Sequence, residues 1–126
     1  MSSNAILLLE DNALLCRLYS KVLHYRGFSV EVATSIPYAR MLLHKQYFAL
    51  FICDVRISNE TTLPLLLEKQ NQLKQTQIVL VSAEKMPPEY QSVEIATFLL
   101  KPFPPETLVT LAQELLVSRS PDGYNP

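Results

Sequence analysis

The sequence predicts an α/β protein, a three-layer α/β/α sandwich with a parallel five-stranded sheet between two layers of helices. Two observations predict it. The short apolar runs "AILLL" (5–9), "FALFIC" (48–53) and "IVLVS" (78–82) have the length and composition of strands covered on both faces. Segments with the period of amphipathic helices lie between them, and such alternation folds into a parallel sheet through right-handed crossovers.

The elements follow in order. "AILLL" is the first strand. The first helix carries Leu15, Leu18, Tyr19 and Val22 at i, i+3, i+4 and i+7, and Gly27 is placed to end it. "FSVEVA" (28–33) alternates apolar and polar side chains, as a half-exposed edge strand does. The second helix opens on Ser35 as N-cap with Pro37 in its first turn, and its stripe is Ile36, Ala39 and Leu43. "FALFIC" is the third strand. Leu63, Leu66 and Leu67 mark a third helix, with Thr61 and Thr62 as candidate caps. After the fourth strand, "IVLVS", the stretch "AEKMPPEYQSVEIA" contains two adjacent prolines and has room for a fourth helix of only about two turns. "TFLL" (97–100) suits the other edge of the sheet. Leu108, Leu111, Ala112, Leu115 and Leu116 form the clearest helical stripe, in the last helix. Residues 1–118 read as one domain, and the polar, Pro- and Gly-containing 119–126 as a tail or the start of a linker.

Composition narrows the function classes. A chain of 126 residues fits one domain with a real core. Eleven Lys and Arg against twelve Asp and Glu leave a net charge of -1, so no basic surplus points to nucleic acid or an anionic membrane. The apolar runs fall far short of the ~20 residues of a membrane span. "MSSNAILLLEDN" lacks the charged region and cleavage site of a signal peptide, which leaves the cytoplasm as the expected location. Cys16 and Cys53 lie in different elements, with neither a CxxC nor a histidine at metal-ligand spacing, and read as buried free thiols. His24 and His44 fall late in helices, where surface or capping roles suit them.

In a parallel α/β sheet the functional crevice lies at the carboxyl ends of the strands. Strand one ends in Glu10 and Asp11, strand three in Asp54 and strand four in Ser82, while Lys101 and Pro102 follow strand five. A parallel sheet gathers all of these on one edge. Three carboxylates repel one another, and a hard divalent cation such as Mg²⁺ resolves the conflict while also binding phosphate oxygens. Asp54 is then a carboxylate nucleophile towards phosphorus, with Lys101 and the Ser82 hydroxyl on the remaining phosphoryl oxygens. Singly, each residue has a plainer role: Asp54 as a turn residue, Glu10 and Asp11 as caps of the first helix, Lys101 as a solvated charge. Their joint placement is what speaks against those roles.

In "ILLLEDN", "FICDV", "VLVSAE" and "FLLKPF", in this order and at these spacings, the chain resembles the receiver domains of two-component response regulators, from Ala5 to Val117. The resemblance implies a flavodoxin-like (βα)5 fold with strand order 2-1-3-4-5. It implies that Asp54 accepts a phosphoryl group from a histidine kinase or phosphotransfer protein. Asp11, Asp54 and the backbone carbonyl of Arg56 would bind Mg²⁺, with Glu10 acting through water. Lys101 would pair with the phosphoryl group, Ser82 and Phe98 would be the switch residues, and the Lys101–Pro102 peptide would be cis. Such a domain catalyses only its own phosphorylation and dephosphorylation, and signals through a downstream protein, as a monomer or homodimer.

Three departures stand out. Ser58 and Thr62 occupy positions where the family usually has Pro and Gly, so the loop after strand three is expected to take its own path. The segment from Ser82 to Lys101 is short, at the expense of the fourth helix. Arg56 and Glu84, two residues beyond Asp54 and Ser82, are expected to pair across the pocket mouth and slow hydrolysis, or else to be two separate surface charges. Two other functions stay open. A pseudo-receiver would keep the fold as a binding module without phosphorylation. A haloacid-dehalogenase-type phosphatase would need a general acid at position 56, which is Arg.

Overall fold

The computed structural model describes residues 5–117. Five parallel strands form the central sheet: β1 (Ala5–Leu9), β2 (Ser29–Ala33), β3 (Leu50–Asp54), β4 (Gln77–Ser82) and β5 (Thr97–Leu100), in the order β2-β1-β3-β4-β5. The expected order and parallel sense are both present. The registers Leu9↔Cys53 and Asp54↔Val81 bring the ends of the three central strands to one edge.

Alternation along these strands builds two cores. Leu7, Leu9, Phe51, Cys53, Ile78 and Leu80 face α2 (Ile36–Lys45) and α3 (Leu63–Glu68). Ile6, Leu8, Leu50, Ile52, Val79 and Val81 face α1 (Ala13–Tyr25) and α4 (Glu106–Val117), where Tyr19 stacks on Phe103 at 5.5 Å. The central strands are apolar throughout because both of their faces are covered. β2 is more exposed, as its alternation predicts.

Helix ends follow local chemistry. Asn12 caps α1, its side chain accepting from the Leu15 amide at 2.9 Å, and Ser35 caps α2 from the Tyr38 amide. Gly27, at φ +93°, ends α1: its amide and that of Phe28 donate back to His24 and Leu23, the reversal that a left-handed residue permits.

Several expectations are corrected. The buried stripe of α1 is Cys16, Tyr19 and Leu23, while Leu18 is exposed. In α3, Leu65 and Leu66 are buried and Leu67 faces solvent. Thr62 stands at the N-cap of α3, but its hydroxyl makes no cap bond and bonds backwards to the Asp54 carbonyl at 2.7 Å. The fourth helix is a five-residue 3-10 turn, Pro88–Ser92, because the paired prolines leave too little chain for an α-helix. After β3 the chain forms an additional two-stranded hairpin, Arg56–Ile57 against Glu60–Thr61. Ser58 and Asn59 turn it at φ 50° and 68°, the handedness of a two-residue type I′ turn. The polar stretch 119–126 lies outside the described residues. Among the described residues, no helix is long and apolar enough to cross a membrane.

Candidate functional site

The strand ends bring Glu10, Asp11, Asp54, Ser82 and Lys101 to one cavity of about 620 Å³, together with Asn12, Leu15, Arg56, Ala83 and Glu84. Glu10 and Asp54 are buried and Asp11 is exposed at the rim. One carboxylate oxygen from each of the three lies within 4.8 Å of the others. Lys101 reaches between them, its Nζ donating to Glu10 Oε1 at 2.9 Å and to Asp54 Oδ2 at 3.1 Å.

Each group is held from behind. The Asn12 amide donates to Glu10 Oε2 at 2.9 Å, and the Cys16 thiol donates to the Glu10 carbonyl at 3.0 Å. The Ser58 amide, at the hairpin tip, donates to Asp11 Oδ2 at 2.8 Å. A proline at position 58 would have no N–H to give, so the hairpin ties this chain's loop to Asp11 in a way the usual residue could not. Ser82 Oγ accepts from the Glu84 amide at 3.0 Å, and the Lys101 amide donates to the Ser82 carbonyl at 2.7 Å. The Lys101–Pro102 peptide is cis, as expected.

Electrostatics mark Asp54 as the group under stress. Burial pushes its carboxyl up from 3.8 to about 7, the Glu10 carboxylate pushes the same way, and Lys101 offsets this only in part. For Lys101, burial alone would lower the ammonium, but the hydrogen bond to Glu10 and the charges of Asp54 and Glu10 outweigh it and raise the pKa. One lysine cannot balance three carboxylates. The donor set of hard oxygens therefore suits a divalent cation such as Mg²⁺. Cys16 and Cys53 are both free and buried, and burial pushes the Cys53 thiol up to about 12.

Phe98 sits outside this pocket, partly buried against the α2–α3 core. Arg56 and Glu84 are exposed, and no ion pair joins them among the described residues; they are two separate charges at the mouth. The buried hydroxyls of Thr62 and Tyr90, 3.0 Å apart behind the end of β3, went unnoticed in the sequence. Each alone reads as a cap or a packing residue, and no local pattern links them.

Similar proteins agree with this architecture. The alginate biosynthesis transcriptional regulatory protein AlgB of Pseudomonas aeruginosa is 29% identical over 117 residues, 90% of this chain. The chain spans about a quarter of that relative's length, 26%. The chemotaxis response regulator CheY4 of Vibrio cholerae is 28% identical with a TM-score of 0.79, over 91% of this chain and 100% of that one. A CheY-like receiver domain protein from Methanospirillum hungatei shares the fold at 18% identity, with a TM-score of 0.86 over 97% of this chain and 100% of that one. A family model for the response regulator receiver domain matches residues 6–113, and the chain belongs to that family.

Proposed function

We propose that this receiver domain is a phosphorylation-dependent switch in which Asp54 accepts a phosphoryl group from a phosphohistidine donor in a Mg²⁺-dependent reaction. The observation that carries this reading is the trio of carboxylates bridged by Lys101 at the carboxyl edge of the sheet. The donor is a sensor histidine kinase or a phosphotransfer protein, and the signal leaves through contacts with another protein.

An Asp54 carboxylate oxygen attacks phosphorus, the new P–O bond forms as the P–N bond to the donor imidazole breaks, and the imidazole departs with the electron pair. Asp11, Asp54 and the Arg56 carbonyl, with Glu10 behind, would hold Mg²⁺, which would supply charge neutralisation for the phosphoryl oxygens. Glu10 and Asn12 fix the pocket floor, and the Ser58 amide orients Asp11. Lys101 leaves its two carboxylates to meet the new dianion, and Ser82, whose Oγ accepts from the Glu84 amide, still has its O–H to donate. The domain is not a metabolic enzyme in this reading; it catalyses its own phosphorylation and dephosphorylation.

The test is incubation with acetyl phosphate, with and without Mg²⁺, followed by intact mass measurement. A hydroxylamine-labile phosphoryl adduct that needs Mg²⁺ and vanishes in Asp54→Asn is expected. A protein that gains no mass under any condition would be a binding module that has kept only the fold. Repeated turnover of phosphate esters would instead make it a phosphatase.

A further inference from the structure

Behind the end of β3, on the side away from the pocket, lies a polar group that the proposed reaction does not use. Residues 83–96 connect β4 to β5, and Tyr90 is the only buried residue among them. Met86, Val93 and Ile95 are partly covered. The Tyr90 hydroxyl donates to the Val55 carbonyl at 3.0 Å and accepts from the Thr62 amide at 3.0 Å. The Thr62 hydroxyl lies 3.0 Å from it and donates to the carbonyl of Asp54 itself at 2.7 Å.

Two hydroxyls thus join three pieces of the molecule: the strand end that carries Asp54, the start of α3, and the middle of the β4–β5 connection. The connection is held at its ends by the Glu84 amide on Ser82 Oγ and the Ala96 amide on the Ile78 carbonyl. Between those points a five-residue 3-10 turn has too few internal bonds to fix its own position, so Tyr90 locates it. All five polar groups are out of water, where a displaced hydroxyl finds no replacement partner, so the set moves together or not at all.

We propose that Tyr90 is the positioning residue that, acting through Thr62, links the state of Asp54 to the β4–β5 connection in this chain. The inference rests on Asp54 being the acceptor. A dianion on Asp54 draws Lys101 and changes the forces on the end of β3; the Asp54 and Val55 carbonyls carry that change to Thr62 and Tyr90. Phe98, with no hydroxyl, packs against the same core as Tyr90 and can follow it. Tyr90 touches neither phosphorus nor metal ligand side chain in this scheme. It is a positioning residue.

Hydrogen–deuterium exchange of the full chain tests this, with and without Mg²⁺ and beryllofluoride, in wild type, Tyr90→Phe and Thr62→Ser. Tyr90→Phe keeps the ring, and the Thr62 amide still bonds the Val55 carbonyl at 2.9 Å, so the variant folds. In wild type, beryllofluoride should change exchange over residues 89–96 by about fivefold or more, the lower range of measured couplings. In Tyr90→Phe that ligand-dependent ratio should fall to about one while residues around Asp54 are still protected. Thr62→Ser, which keeps the hydroxyl, should retain the ratio. A merely structural Tyr90 would raise exchange equally in both states and leave the ratio intact, and that result would overturn the proposal. So would wild type that is protected around Asp54 with no response over 89–96. Wild type showing no protection at Asp54 would instead sink the acceptor reading, and the coupling with it.

Discussion

At Asp54 the arrangement of charge has a thermodynamic consequence before any phosphoryl group arrives. Burial and Glu10 raise its pKa from 3.8 to about 7, so between these values the folded protein binds more protons than the unfolded chain. Stability must therefore fall as pH rises across that interval; the contribution is intact below the unfolded value and lost above the folded one. Asp54→Asn removes the titration. In metal-free buffer the Asn variant should be more stable than wild type at pH 8, by on the order of 2 kcal/mol, with the gap closing towards pH 4. Urea unfolding at the two pH values measures it, and equal stabilities at pH 8 would show that Lys101 alone compensates. The acidic residues and Lys101 were legible in the sequence because a parallel sheet sends strand ends to one edge. Thr62 and Tyr90 were not, because their bond joins residues 28 positions apart with no period or motif between them.

Among the elements, strands were read closely and helices less so. "AILLL" and "TFLL" are strands over the same residues, since short apolar runs bounded by polar residues leave little choice. On α1 the core takes Tyr19 with Leu15 and Val22 as read, and Leu23 besides; Leu18 belongs to the pattern by type but is exposed. Periodicity finds a stripe; the neighbouring elements decide which edge of it is covered. The hairpin after β3 escaped because Ser58-Asn59 is a weak turn signal without glycine, and its positive φ angles become visible only in the backbone. Gly27, by contrast, was a clear stop. A Cβ at this position would meet nothing within 4 Å, so the cost of Gly27→Ala is conformational alone, from φ +93°. A loss of about 1 kcal/mol is expected by thermal or urea unfolding, with the fold and pocket unchanged. No loss would mean that the turn has an alternative geometry.

For the whole molecule, pattern matters more than identity. A receiver domain only 18% identical superposes at a TM-score of 0.86, because two-faced apolar strands and one-faced helices are enough to specify the sandwich. On that shared scaffold the chain's own features lie between β3 and β5: a hairpin that binds Asp11, a 3-10 turn in place of a helix, and a hydroxyl pair joining them to the strand that carries Asp54. The hairpin meets the pocket at Asp11, while the hydroxyl pair reaches the same strand end through the Asp54 and Val55 carbonyls. The central claim is that this strand end exists to present Asp54 to phosphorus. Its most direct test is to transfer phosphate from a phosphohistidine protein and locate the adduct by peptide mass mapping, with Mg²⁺ and with EDTA. The account predicts an adduct on Asp54 alone, formed with Mg²⁺ and absent with EDTA. A phosphoryl group on another residue, or one that forms equally well in Asp54→Asn, would contradict it.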